Sequence, residues 1–324
     1  MRAAAAGSVL LTTVLLAGCV SVNATDSSGS MASAQQAATL AAQDAQTNMA
    51  ADSDPLAQPA SDSMRWLYGS GEAAGASIQA YRMLSDYAVA ISKRRSVPQS
   101  VPMGLPGAPG GVGTVSCLNP DKSIKPLAVV FDVDETVILN RGYEFWQAYS
   151  GHGYDAKEWA DYARTGAPFV EPVPGAVAGI TRLREAGITV VFNTNRKSDT
   201  AAGTAAAIAA AGLGKAVHGD TLFLSGDDAM GSRKDGRRAT IAAKYCVIAL
   251  GGDNLGDFAD VFNTSGLAPQ ARRKLASTGK FARLWGAGWF ALPNPVYGDS
   301  IKGTVGEVFP PDARWKPGTN DEDK

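Results

Sequence analysis

Ala128-Val129-Val130-Phe131-Asp132-Val133-Asp134-Glu135-Thr136 decides how this chain is read. Its four leading residues are apolar and rich in strand formers, so the run predicts a buried β-strand. Two carboxylates, one residue apart, follow at once. In open α/β sheets the ligand crevice lies beyond the carboxyl ends of the strands, so Asp132 and Asp134 are expected to project into it. An aspartate there can attack an electrophile or ligate a hard cation, and a second one two residues on can hold or donate a proton. A turn leading into a helix cap would use the same residue types, because Asp and Thr both cap helices well.

A second segment repeats the design. Tyr245-Cys246-Val247-Ile248-Ala249-Leu250-Gly251-Gly252-Asp253-Asn254-Leu255-Gly256-Asp257-Phe258 is an apolar run, small residues to turn, and two carboxylates four apart. With a helix starting near Asn254, Asp253 and Asp257 lie close together at its beginning. Four carboxylates then converge on one crevice, and uncompensated charge at that density is costly. A divalent cation is the simplest remedy. Oxygen-only ligands favour magnesium, calcium or manganese over zinc or copper, and a few carboxylates with water and phosphate suit Mg2+ best.

Between the acidic segments lie the complements a phosphate needs. Ile188-Thr189-Val190-Val191-Phe192 reads as another buried strand ending in Asn193-Thr194-Asn195-Arg196, where the Thr194 hydroxyl can reach a phosphoryl oxygen. Arg233-Lys234-Asp235-Gly236-Arg237-Arg238 opens a predicted helix running toward Lys244, and Lys234 can enter the crevice as a compact positive charge. The other bases of that helix are expected on its solvated face.

In this order the residues resemble a family. Asp-x-Asp-x-Thr, a strand-end Thr, a Lys and then Gly-Asp-x-x-x-Asp is similar to the signature of the haloacid dehalogenase superfamily of phosphohydrolases. Asp132 to Val137 with Asn140 and Tyr143, and Gly252 to Phe258, resemble the paired signatures of bacterial class C acid phosphatases. These are four-aspartate, lipid-anchored nonspecific phosphomonoesterases that include outer-membrane 5′-nucleotidases. Trp66-Leu67-Tyr68 with Glu72, Gln79 and Tyr81, Pro174-Gly175-Ala176, and Leu292 to Gly298 extend the resemblance over roughly Ser61 to Tyr297. Ser300 departs from it where an aromatic would be expected.

The resemblance implies an α/β fold: a Rossmann-like parallel sheet of the haloacid dehalogenase type with a small helical cap and an N-terminal helical arm. It implies that Asp132 is the nucleophile forming an aspartyl-phosphate and Asp134 the general acid and base. Thr194 and Lys234 would hold phosphoryl oxygens. Asp132, Asp253 and the backbone carbonyl of Asp134 would ligate Mg2+, with Asp257 and Asn254 behind them. Phosphoryl transfer asks for an in-line nucleophile and charge neutralisation, which this set supplies. Thr221 to Asp228 is also an apolar run ending in acids, but it precedes Lys234, so it is expected to serve as a loop or substrate rim.

Arg2 followed by the mostly apolar stretch Ala3 to Leu16 has the layout of a signal peptide and is too short for a comfortable membrane span. Leu16-Ala17-Gly18-Cys19 resembles a bacterial lipoprotein box, which implies cleavage after residue 18 and lipidation of Cys19. Val20, not Asp, follows the cysteine, and the family resemblance then implies a cell-envelope location, at the outer membrane if the cell is Gram-negative. Residues 19–60 are rich in Ala, Ser, Asp, Gln and Thr and read as a disordered tether. The remaining cysteines, Cys117 and Cys246, would face an oxidising compartment, and both fall at the expected N-terminal edge of the sheet, which makes a disulfide between them a candidate.

Residues 61–310 are enough for one sizeable core. Within them an arm (71–92), a Pro- and Gly-dense loop (98–113) and a cap at about 141–175 are expected, with 311–324 as a tail. Trp146, Tyr149, Trp159 and Tyr162 fall at near-helical spacings in the cap and are expected mostly in its core. The balance of 30 basic against 31 acidic residues and the lack of a basic stripe argue against nucleic-acid polymers as partners. Small phosphomonoesters remain; family resemblance suggests nucleoside monophosphates and aryl phosphates, with Tyr68, Tyr143 or Tyr297 available to stack on a ring. A phosphotransferase would share every site residue. A noncatalytic surface lipoprotein would be expected to lack one of Asp132, Asp134, Lys234 or Asp253, and all four are present. Nothing in the sequence sets an oligomeric state.

Overall fold

A computed structural model describes residues 55–94 and 96–317. The signal segment, Cys19, almost all of the tether and the end of the tail lie outside the described residues. From Pro59 onward the chain forms one compact unit. Two helices open it, α1 (Asp62–Gly69) and α2 (Gly71–Ser92), each begun by a serine whose side chain accepts a backbone N–H of the first turn. The run beginning at Leu127 is β1 (Leu127–Phe131). There follow β2 (Ile138–Leu139), α3 (Arg141–Ser150), α4 (Ala156–Thr165) and β3 (Glu171–Pro172). The chain continues through α5 (Ala176–Glu185), β4 (Thr189–Lys197), α6 (Ala201–Ala210), β5 (Leu222–Ser225), α7 (Asp235–Lys244), β6 (Cys246–Gly252) and β7 (Trp289–Ala291).

Five of these strands make one parallel sheet in the order β5-β4-β1-β6-β7, so β1 is central. Parallel neighbours need crossovers that cover the sheet's faces, and the strands are apolar on both sides as a result. The alternation along β1 shows it. Val129 and Phe131 pack with Tyr81 and Leu84 of α2 and with Ile180 and Leu183 of α5. Ala128 and Val130 face Ile241 of α7, Phe258 and Trp289 in a second core. Each face is a full layer of buried side chains, which fixes the strand register.

The helical arm is welded to this sheet. The Tyr81 ring stacks on Phe131 with centroids 5.9 Å apart, and its hydroxyl donates to the Thr136 carbonyl at 2.6 Å. The close approach needs Gly179 on α5, where a Cβ would come within 2.8 Å of the Tyr81 ring. At the opposite end of the sheet Cys117 is disulfide-bonded to Cys246, the first residue of β6, with Cα atoms 4.7 Å apart.

The cap consists of α3 and α4 on a two-stranded antiparallel base, β2 with β3. Its aromatics divide. Tyr143 is buried against Trp159 and Tyr162, with centroids at 4.9 and 5.6 Å. Trp146 and Tyr149 are exposed, contrary to the sequence expectation, although the Trp146 indole N–H donates to Glu158 of α4 at 3.0 Å. Among the described residues no helix is long and apolar enough to cross a membrane.

Candidate active site

Parallel pairing brings β1, β4 and β6 together at one edge, where β4 runs on to Lys197 past the other two. Phe131 is in register with Phe192 of β4 and with Gly251 of β6, so Asp132, Thr194 and Asp253 emerge side by side at the sheet's C-terminal edge. Gly251 and Gly252 are dictated by crowding there: a Cβ on the first would strike the Phe131 ring at 2.7 Å, and one on the second the Asp257 side chain at 2.4 Å. Past β6 the chain makes a short 3-10 turn, Leu255–Asp257, instead of the expected α-helix. Asn254 and Asp257 close a reciprocal capping box around it, which holds Asp257 next to Asp253.

Lys234 sits at the centre of the acids. Its Nζ donates to Asp132 Oδ1 at 2.5 Å and to Asp257 Oδ1 at 2.7 Å, and the side chain is buried. Burial alone would lower the ammonium's pKa; the charges of Asp132 and Asp257 outweigh it and leave it raised. The backbone is held too, since Lys234 N–H donates to Asp260 Oδ1 at 2.8 Å.

One lysine does not neutralise this cluster. Burial, and then the charge of Asp257, raise Asp253 to about 7, although Asn294 and Thr136 donate to its two oxygens. Asp132 is also pushed well up, by burial first, with Lys234 opposing and Asp257, Asp253 and Asp134 adding to it. Carboxylate oxygens of Asp132, Asp253 and Asp257 lie within 4.8 Å of one another. An all-oxygen set with surplus negative charge fits a hard divalent cation. Asp257 already spends one oxygen on Lys234 and the other on the Asn254 N–H at 2.8 Å, which suits it to stand behind the inner ligands.

Asp134 occupies the other wall. Its Oδ1 is gripped by Arg196 and Asn140, and its Oδ2 lies 3.5 Å from the Thr194 hydroxyl. The next residue, Glu135, takes a positive φ of 51°, unusual for a side chain with a Cβ, and turns into the protein. There it accepts from the Tyr68 hydroxyl at 3.1 Å, from the Tyr297 hydroxyl, and from the Asn140 backbone N–H at 2.9 Å. Burial and the Asp134 charge raise it to about 8.

Several expectations need correction. Tyr143, expected to be available for stacking, is enclosed in the cap. Arg237 and Arg238, expected on a solvated face, are buried. Arg237 donates to Asn193 and Asn195, and Arg238 to the carbonyls of Gly104, Gly256 and Asp257, so every charge-bearing group finds oxygen inside the protein. The acids after β5 stay out of the cluster: Asp227 accepts from the Leu224 N–H and pairs with His218. Ser300 donates to the Asn294 carbonyl at 3.5 Å. The residues not singled out beforehand are Arg196, Glu135, Thr136 and Asn294. A signal for Arg196 was present, because it lies two places after Thr194 in one strand and so shares its face.

A parallel sheet carrying carboxylates from two central strands, with a buried lysine between them, defines a phosphoryl-transfer enzyme built on oxygen ligands. The chain belongs to the HAD superfamily, subfamily IIIB (acid phosphatase), whose family model matches residues 114–300, and it is an acid phosphatase. The fold is shared with solved structures. The class C acid phosphatase from Bacillus anthracis with tungstate bound is 22% identical, with a TM-score of 0.57 over 74% of this chain and 84% of that one. A second structure of the class C acid phosphatase from Bacillus anthracis gives 21% identity and a TM-score of 0.54 over 72% and 83% of the two chains.

Proposed function

We propose that this acid phosphatase hydrolyses small phosphomonoesters through an aspartyl-phosphate on Asp132. The observation that carries the reading is the Lys234 ammonium held between Asp132 and Asp257 beside Asp253. An Asp132 oxygen attacks phosphorus, the ester oxygen departs, and Asp134 gives it a proton. Water then attacks the phospho-enzyme, loses a proton to Asp134, and releases phosphate and free Asp132. Lys234 and Thr194 hold the phosphoryl oxygens during both steps. Asp132, Asp253 and the Asp134 carbonyl would hold Mg2+, with Asp257 and Asn254 supporting it. That ion supplies positive charge to the phosphoryl oxygens and offsets the surplus of carboxylates.

Nucleoside monophosphates and aryl phosphates are the proposed substrates, in keeping with the resemblance to class C acid phosphatases and the lack of a basic stripe for longer nucleic acids. The tetrahedral oxyanion named for the Bacillus anthracis enzyme, tungstate, makes a suitable probe of the same crevice here. We further propose that the mature chain begins at a lipidated Cys19 and is held at the outer membrane, on the strength of Leu16-Ala17-Gly18-Cys19.

A screen of phosphomonoesters and phosphodiesters, with and without EDTA, tests the reading. Monoesters should be cleaved, activity should vanish on chelation and return with Mg2+, and diesters should be ignored. Undiminished turnover after exhaustive chelation, or cleavage of diesters alone, would refute it.

A further inference from the structure

The two oxygens of Asp134 are held unequally. Its Oδ1 receives two N–H groups, Arg196 Nε at 2.9 Å and Asn140 Nδ2 at 2.9 Å, and pairs in charge with Arg196 Nη2 2.8 Å away. Its Oδ2 has the Thr194 hydroxyl at 3.5 Å. A carboxyl oxygen offers about two acceptor sites, so Oδ1 has none to spare for a proton. Arg196 is itself immobilised. It is 1% exposed, its Nη2 also donates to Asn140 Oδ1 at 2.8 Å, and its guanidinium carbon lies 5.3 Å from the centroid of the Trp159 ring on α4 of the cap. A planar fork stacked on an aromatic face and hydrogen-bonded at its edge has one orientation.

We propose that Arg196 is a positioning residue for proton transfer: by saturating Oδ1 of Asp134 it confines the transferable proton to Oδ2, on the side of Thr194. The inference rests on the reading of Asp134 as the general acid. In the phosphorylation step a bond forms from an Asp132 oxygen to phosphorus and the ester bond breaks. The electron pair of that bond stays on the departing oxygen, which takes the Oδ2 proton and leaves as an alcohol. Asp134 is left as a carboxylate, still clasped through Oδ1. Because Trp159 belongs to the cap, the alignment of the acid also depends on how α4 is seated over β4.

The test uses the Mg2+-loaded enzyme in a single turnover and compares an alkyl phosphate, whose alkoxide needs a proton to leave, with p-nitrophenyl phosphate, whose phenolate needs little. Arg196→Lys and Arg196→Gln should slow phosphorylation by the alkyl ester about 10²-fold and by the aryl ester within about threefold. Inhibition by inorganic phosphate should be unchanged. Trp159→Leu should act in the same direction and less strongly. Adding Arg196→Lys to Asp134→Asn should cause no further loss of alkyl selectivity, because a residue acting through another is not additive with it.

Equal losses with both leaving groups, or full additivity in the double variant, would overturn the proposal. If Arg196→Gln does not fold, Arg196→Lys and Trp159→Leu carry the test alone. Asp134→Asn separates the two levels of the argument: if it is itself unselective, the general-acid reading fails. If it is selective and the Arg196 variants are not, only the positioning role fails.

Discussion

Asp253 shows how one residue couples metal, proton and stability. Burial and then the charge of Asp257 raise its pKa to about 7, against about 4 for a carboxyl in an unfolded chain. Between those values the folded state keeps a proton that the unfolded state has released, so stability falls as pH rises through the window. A divalent cation takes the place of that proton. Melting curves should therefore show Mg2+ raising Tm more at pH 7 than at pH 5, near the two ends of the window set by Asp253. An equal gain at both would remove Asp253 from the ligand set. Asp253→Asn should flatten this pH dependence, weaken Mg2+ binding by calorimetry and lower turnover by orders of magnitude. The carboxylates could be picked out from sequence because an acid directly after an apolar run carries a local signal. Arg196 and Arg238 could not be called buried, since their partners lie far away in the chain, at Asn140 and Trp159 for the first and at Gly104 and Gly256 for the second.

At the scale of elements, α2 acts on the catalytic loop through Tyr81. Its hydroxyl satisfies the Thr136 carbonyl, and Thr136 in turn donates to Asp253. Tyr81→Phe leaves a buried carbonyl without its partner, which costs about 1–3 kcal/mol. Urea unfolding should show a loss of that size, with turnover reduced more than substrate affinity because the loop that holds Asp253 is loosened. A variant as stable and active as the wild type would deny the arm any part in the site. Long apolar strands and the arm were legible because their periodicity is strong. The β2–β3 pair was not, being two residues long on each side, and the segment after Asp253 forms a 3-10 turn where its sequence suggests a helix, because capping residues begin α and 3-10 turns alike.

The whole molecule is fastened at both ends of its sheet, by the disulfide at the N-terminal edge and by the ion cluster at the C-terminal one. Cys117 and Cys246 are 129 residues apart, a loop long enough for the bond to contribute about 2–5 kcal/mol by restricting the unfolded chain. Reduction, or Cys117→Ser with Cys246→Ser, should lower Tm while leaving the turnover of the folded enzyme nearly unchanged, since the bond lies at the far edge of the sheet from Asp132. A fall in turnover without a fall in Tm would contradict this division. At the N-terminus, labelled palmitate should enter the wild type and not Cys19→Ser; equal labelling would remove the lipid anchor. The pairing of strands could not be read from the sequence, because four similar apolar runs are compatible with several orders, the three-residue β7 carries no such signal, and the packing of α2, α5 and α7 selects β5-β4-β1-β6-β7.

The central claim is a covalent bond between Asp132 and phosphorus, and it is tested most directly by trapping it. A single turnover of a nucleoside monophosphate is quenched in acid, the acyl-phosphate is reduced with borohydride, and the modified residue is located by mass spectrometry. Asp132 should be converted to homoserine in the wild type, in larger yield in Asp134→Asn with an aryl phosphate, where hydrolysis of the phospho-enzyme is slowed, and not at all in Asp132→Asn. Rapid turnover with no modification at Asp132, or modification at Asp253 instead, would contradict it.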